Sequence, residues 1–131
     1  MQISETMSSQ LELIDGFITS LLARVFQLPA DKKAIFNAQL ALHEAIVNAV
    51  KHGNKSQRHL LVMVDIKREE NQLTMQVTDQ GSGFDYKKIP DPILPENLEK
   101  LNGRGIFLIQ NAMDRVEFAD KGRTIKMMKF L

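Results

Sequence analysis

The chain is 131 residues long, with 44% hydrophobic and 25% charged residues. That is the composition of one ordinary folded domain, and it excludes wholesale disorder. Lys and Arg number 17 against 16 Asp and Glu, a net charge of +1 that lacks the basic excess of an electrostatic nucleic-acid binder. There is no cysteine, so disulfides, thiol catalysis and thiolate metal sites are excluded.

The first ten residues are polar, without the basic start and apolar run of a signal peptide. No stretch approaches the roughly 20 apolar residues that span a bilayer. A soluble, cytoplasmic protein with no membrane contact is expected. Residues 9–26 carry Leu11, Ile14, Ile18, Leu21, Leu22 and Val25 at helical spacing. Leu28-Pro29 ends that helix, since proline pushes the residue before it out of the α region. Asp31 is the N-cap of a second helix through Ile35, Leu42, Ile46 and Val50, with Gly53 at its C-terminal end. Leu60–Ile66 is apolar and β-branched, a strand. From Leu73 to Asp79 the sequence alternates: Leu73, Met75, Val77 and Asp79 share one face, Thr74, Gln76 and Thr78 the other. Arg68 to Gln72 suits a hairpin turn. Gly81–Gly103 is irregular and holds Pro90, Pro92 and Pro95, the last able to open a short helix through Leu101. A connection of that length inside a domain is usually functional, such as a lid. Ile106–Met113 reads as a helix. Val116–Ala119 and Ile125–Leu131 read as strands. The sum is an α+β two-layer sandwich, a mostly antiparallel sheet covered on one face by helices.

Several tempting motifs fail. His43-Glu44 opens like a zinc-protease helix, but the second histidine position is Val47. Gly103-Arg104-Gly105 opens like a dinucleotide fingerprint, but its third glycine position is Leu108. Three segments survive, each with a plainer reading when taken singly. Glu44 and Asn48, four residues apart, lie about 40° from each other around a helix, with Lys51 and His52 continuing the polar stripe. The plain reading is a solvated face; the chemical one is a carboxylate base beside an amide oxygen suited to Mg²⁺. Asp79-Gln80-Gly81-Ser82-Gly83 ends a strand with an inward carboxylate, which must be paired or hydrogen-bonded. An adenine amino group would satisfy it, with Gly81 and Gly83 letting the backbone approach a flat ring. The plain reading is a turn. Asn102-Gly103-Arg104-Gly105 opens a helix, where N–H groups and an arginine favour phosphate. The plain reading there is a flexible helix cap. The order of the three segments is that of a nucleotide site.

The stretches LALHEAIVNAVKHGN (residues 40–54), VTDQGSGFDY (77–86) and GRGIFLIQNAMDRVEF (103–118) resemble the ATPase superfamily shared by gyrase, heat-shock chaperones, histidine kinases and mismatch-repair proteins. More narrowly, they resemble the bacterial anti-sigma factor serine/threonine kinases. The resemblance implies one Bergerat-type ATP-binding domain over 1–131 with an ATP lid at about 84–103. It implies Asn48 on Mg²⁺ bridging the ATP phosphates and Glu44 as general base. Asp79 would take the adenine amino group, Gly81 and Gly83 the pocket and lid hinge, and Gly103, Arg104 and Gly105 the phosphates. Lys51 and His52 would line the phosphate and ribose side, and Thr124 would help hold adenine through water. The implied biology is a partner switch: a homodimer that binds a sigma factor or phosphorylates a STAS-domain antagonist, without touching nucleic acid. The N-terminal strand that often begins this family is short or weak here, Gln2 to Met7 at most. A second reading is a non-catalytic nucleotide-binding module that sets a protein-binding surface.

Overall fold

The computed structural model describes residues 1–82 and 103–131. Five strands form one antiparallel sheet in the order β1-β2-β3-β5-β4. They are β1 (Gln2–Ser8), β2 (Leu61–Glu69), β3 (Gln72–Thr78), β4 (Arg115–Ala119) and β5 (Thr124–Phe130). Helices α1 (Ile14–Val25), α2 (Lys32–Asn48) and α3 (Gly103–Ala112) cover one face. The expected α+β two-layer sandwich is what the chain forms. The expected lid and the short helix after Pro95 lie outside the described residues, as does Gly83. Among the described residues no helix is long and apolar enough to cross a membrane.

Alternation builds the sheet. Val62, Val64 and Ile66 of β2 and Leu73, Met75 and Val77 of β3 are buried toward the helices, with Met127 and Ile125 of β5 beside them. In α2 the buried stripe is mostly small: Ala34, Ala38, Ala41 and Ala45 with Leu42 and Ile46. Small side chains let this helix lie close to the elements it packs on. Asp31 caps α2 as expected, its carboxylate accepting from the Ala34 N–H at 3.0 Å.

Two expectations need correction. The N-terminal strand, expected to be short or weak, is a full one, β1, and the helix expected over 9–26 follows it as a short 3₁₀ turn at Leu11–Leu13 and α1. The strand escapes a periodicity search because its inward positions are Ile3, Glu5 and Met7, and the carboxylate breaks the apolar pattern. Glu5 is tolerated there because the Arg24 guanidinium of α1 donates to it at 3.2 Å.

The second correction concerns Arg68, which is a buried residue of β2, not part of the hairpin turn. Its guanidinium donates to the carbonyl oxygens of Val25 at 3.0 Å, Leu28 at 2.9 Å and Pro29 at 2.9 Å, and lies 5.3 Å from the Phe26 ring centre. It thereby satisfies carbonyls at and beyond the end of α1, which proline leaves without helical partners. Replacing Arg68 by Ala strands those acceptors, at a cost of about 2–4 kcal/mol. Urea denaturation will show the midpoint fall. Lys in its place will recover little, having no planar fork.

Candidate active site

Glu44 and Asn48 lie one turn apart on α2, both half-buried. Their side chains meet the first turn of α3. A Cβ placed on Gly105 would stand 3.2 Å from Asn48 Nδ2 and 3.3 Å from both Asn48 Oδ1 and Glu44 Oε2. The bare glycine therefore leaves room where a carboxylate, an amide and a helix N-terminus converge. The spacing motif foretold the pair; that Gly105 makes space for it is a finding of the structure.

After Asn48 the helix widens into a π turn at Ala49–Gly53, closed by the Asn54 N–H on the Ala49 carbonyl at 2.8 Å. Such wide turns are rare and concentrate at functional sites. The stripe drawn for a regular helix therefore does not extend past Asn48. Lys51 and His52 sit on the widened turn and are exposed.

The turn delivers Gly53 to the end of β3. Asp79 lies one residue beyond that strand, its N–H donating to the Arg123 carbonyl at 2.9 Å. Its Oδ1 accepts from the Gly81 N–H at 2.8 Å. A side chain on Gly53 would collide with the Asp79 carboxyl, and one on Gly81 with the Gly53 carbonyl. Gly53 does not take a left-handed conformation. Close approach, rather than helix termination, is what requires glycine there. Gly53→Ala will push the two elements apart, an overpacking cost of about 1–3 kcal/mol. Thermal denaturation of the variant checks it.

Asn54 locks this junction and was missed at the level of sequence. It is 1% exposed. Its Nδ2 donates to Ser9 Oγ at 2.8 Å and to the Leu61 carbonyl at 3.0 Å, and its Oδ1 accepts from the Gln80 N–H at 2.7 Å. One side chain thus ties the end of β1, the start of β2 and the residue after Asp79. Its only sequence signal is position, directly after the glycine.

Asn48 and Asp79 line the same cleft. Its walls are apolar: Val77 and Ile125 from the sheet, Ala45 and Ala49 from the helix layer, Ile106 from α3 and Phe118 from β4. Burial pushes the Asp79 carboxyl above the ordinary carboxylate range. The Gly81 N–H and the Arg123 guanidinium pull the other way, and Asp120 adds to the rise. Arg123, just before β5, also lines the cleft. Its Nη1 donates to the Gly81 carbonyl at 3.3 Å, and its Nε lies 3.6 Å from an Asp120 oxygen.

The other expected residues fall as follows. Thr124 opens β5 and pairs with Thr78, hydroxyl to hydroxyl at 3.1 Å, one position along from the cleft-lining pair Val77 and Ile125. Gly103 and Arg104 begin α3. Among the described residues no group of three or more His, Asp or Glu side chains is arranged to hold a metal. Apolar walls beside a half-buried carboxylate acceptor suit a heteroaromatic ring with an amino group. A helix N-terminus beside the Asn48 amide, next to the same cleft, suits phosphate.

The family profile of the histidine kinase-like ATPase domain matches residues 5–129. The chain belongs to that family. It is similar in particular to the serine-protein kinase RsbW of Staphylococcus aureus strain bovine RF122 / ET3-1, with 33% identity over 105 residues. The aligned part is 74% of this chain and 66% of the relative, so the match spans just under two thirds of the relative's length. The RsbW proteins of strains MRSA252 and JH9 match with the same identity and coverage.

Proposed function

We propose that this protein is an ATP-dependent serine/threonine protein kinase and anti-sigma factor in a partner-switching pathway. It would act in the cytoplasm as a homodimer, phosphorylating a STAS-domain antagonist and, in its other state, holding a sigma factor, with no direct contact to nucleic acid or membrane. The observation that carries the reading is the placing of Asn48 and Asp79 in one cleft with Glu44 beside Asn48. Similarity to a serine-protein kinase supports the choice of acceptor group.

In this reading Asp79 accepts the adenine amino group and the apolar walls hold the ring. Gly81 and Gly83 keep the backbone close to the ring. The start of α3, with Gly103 and Gly105, offers N–H groups to the phosphates, and Arg104 is assigned to them as well. Lys51 and His52 reach the phosphate and ribose side from the widened turn, and Thr124 assists Asp79 through water. The site fits Mg²⁺: Asn48 supplies a hard oxygen, Gly105 leaves the space, and such ions take most remaining ligands from phosphates and water. When bound, the ion neutralises charge on the phosphate oxygens. Glu44 accepts the proton of the attacking hydroxyl as its oxygen bonds to the γ-phosphorus. The bond to the β,γ-bridging oxygen breaks, and its electron pair leaves with ADP. Glu44 speaks against a purely binding module, because a carboxylate near phosphates repels them and gives a binder nothing in return.

The test is transfer of label from γ-labelled ATP, with magnesium, to a purified STAS-domain antagonist, alongside calorimetry with magnesium and ADP. Heat of binding and phosphoserine or phosphothreonine on the acceptor support the reading. Binding without transfer favours the regulatory module. No binding overturns both.

A further inference from the structure

We propose that His43 is a positioning residue for the phosphotransfer reaction, holding one oxygen of Glu44 so that the other is aimed at the acceptor hydroxyl. The inference rests on the reading of Glu44 as base. Neighbouring residues on a helix do not ordinarily face each other. Here the His43 imidazole turns to its neighbour, with Nδ1 3.8 Å from Glu44 Oε1. Its other nitrogen, Nε2, stands 3.8 Å from Asp15 Oδ1 of α1. The ring spans two carboxylates of different kinds: the Glu44 side chain is 23% exposed and that of Asp15 94%.

The two oxygens of Glu44 therefore have separate surroundings. Oε2 is the one that borders Gly105 and Asn48, at the proposed phosphate end. Oε1 is turned to the imidazole. A carboxylate on a flexible two-carbon stem has several rotamers, and a base must present one of them. An imidazole N–H directed at Oε1 selects the rotamer that leaves Oε2 for the hydroxyl. At 3.8 Å the contact is longer than a direct hydrogen bond, and a small rotation of either side chain closes it. Asp15, from the neighbouring helix, faces the far side of the ring from solvent and adds little to holding it. The same logic orients catalytic and metal-bound histidines by a carboxylate behind them, here with the roles exchanged.

The experiment compares His43→Leu, which keeps bulk without a donor, with His43→Asn, whose amide N–H stands about where Nδ1 does. Single-turnover transfer from magnesium ATP to a purified STAS-domain antagonist is measured, together with magnesium ADP affinity. For His43→Leu the expected result is a rate lower by about 10–100-fold, the range seen when an orienting partner is lost. ADP affinity and the KM for the acceptor should stay within about twofold, and His43→Asn should recover most of the rate. In a Glu44→Gln background His43→Leu should change nothing further. Wild-type rates in His43→Leu overturn the proposal. So do equal losses in both variants, or a loss that follows nucleotide affinity. A Glu44→Gln protein that transfers at the wild-type rate removes the base itself. Loss in Glu44→Gln with none in His43→Leu removes only His43.

Discussion

Glu44→Gln is expected to lower phosphotransfer by about 10²–10⁴-fold, the contribution of a positioned general base. Glutamine keeps the length, the branch and the capacity to hydrogen-bond. What it cannot do is take a proton. The half-buried position between His43 and Gly105 makes the substitution a clean one, because the amide fits where the carboxylate was. Nucleotide affinity should be retained or rise, since a negative charge beside the phosphates is removed. Rapid-quench transfer assays and calorimetry with magnesium ADP report the two quantities separately. A variant that loses binding and transfer together would show that Glu44 serves the cleft's structure and not its chemistry.

Asp79→Asn is expected to have the opposite profile: a nucleotide affinity lower by at least about 100-fold, roughly 3 kcal/mol. Asp79 Oδ1 is already committed to the Gly81 N–H at 2.8 Å. An asparagine keeps that bond through its carbonyl and so turns its NH₂ to the position of Oδ2. A donor then faces the adenine amino group, which is itself a donor. The free protein should respond differently. Burial holds the Asp79 carboxyl above its ordinary range, so the folded state binds its proton more tightly than the unfolded chain does. The stability linked to that proton is fully present below the unfolded-state value and is lost as pH rises through the raised folded-state value. Asparagine removes this loss. Without nucleotide, Asp79→Asn should be at least as stable as the natural chain at neutral pH and should show less stabilisation on acidification. Thermal denaturation across the acidic range, with and without magnesium ADP, tests both halves.

How much of this was legible in the sequence depended on whether a residue's role followed from local pattern. The alternation of Leu73, Met75 and Val77 predicted β3 and set Asp79 on the inward face. Asp31 announced α2, and the spacing of Glu44 and Asn48 put them on one stripe. These are local rules of period and capping, and tertiary structure had nothing to overrule. The failures share a different cause. Glu5, Arg68 and Asn54 are polar residues in inward or buried positions, each satisfied by groups distant in sequence: Arg24, the Val25–Pro29 carbonyls, and Ser9, Leu61 and Gln80. Pattern reading assigns polar residues to the surface, and only the partners reveal the exception. The π turn had no signal in the local pattern, and it leads directly into the junction of Gly53, Asn54 and Asp79. Asn48 and Asp79 were legible as residues, but their shared cleft depended on how α2 lies on the sheet.

The widened turn at Ala49–Gly53 has an evolutionary consequence. Lys51 and His52 point outward from it, and as surface positions they would ordinarily tolerate both substitution and changes in length. Here the two freedoms separate. The side chains at the exposed positions answer only to what they bind, but the count of residues between the amide of Asn48 and the bare backbone of Gly53 is fixed by the junction itself. Adding or dropping one would rotate the glycine away from Asp79 and present a side chain in its place. Divergence in this segment should be measured in phase, not in identity.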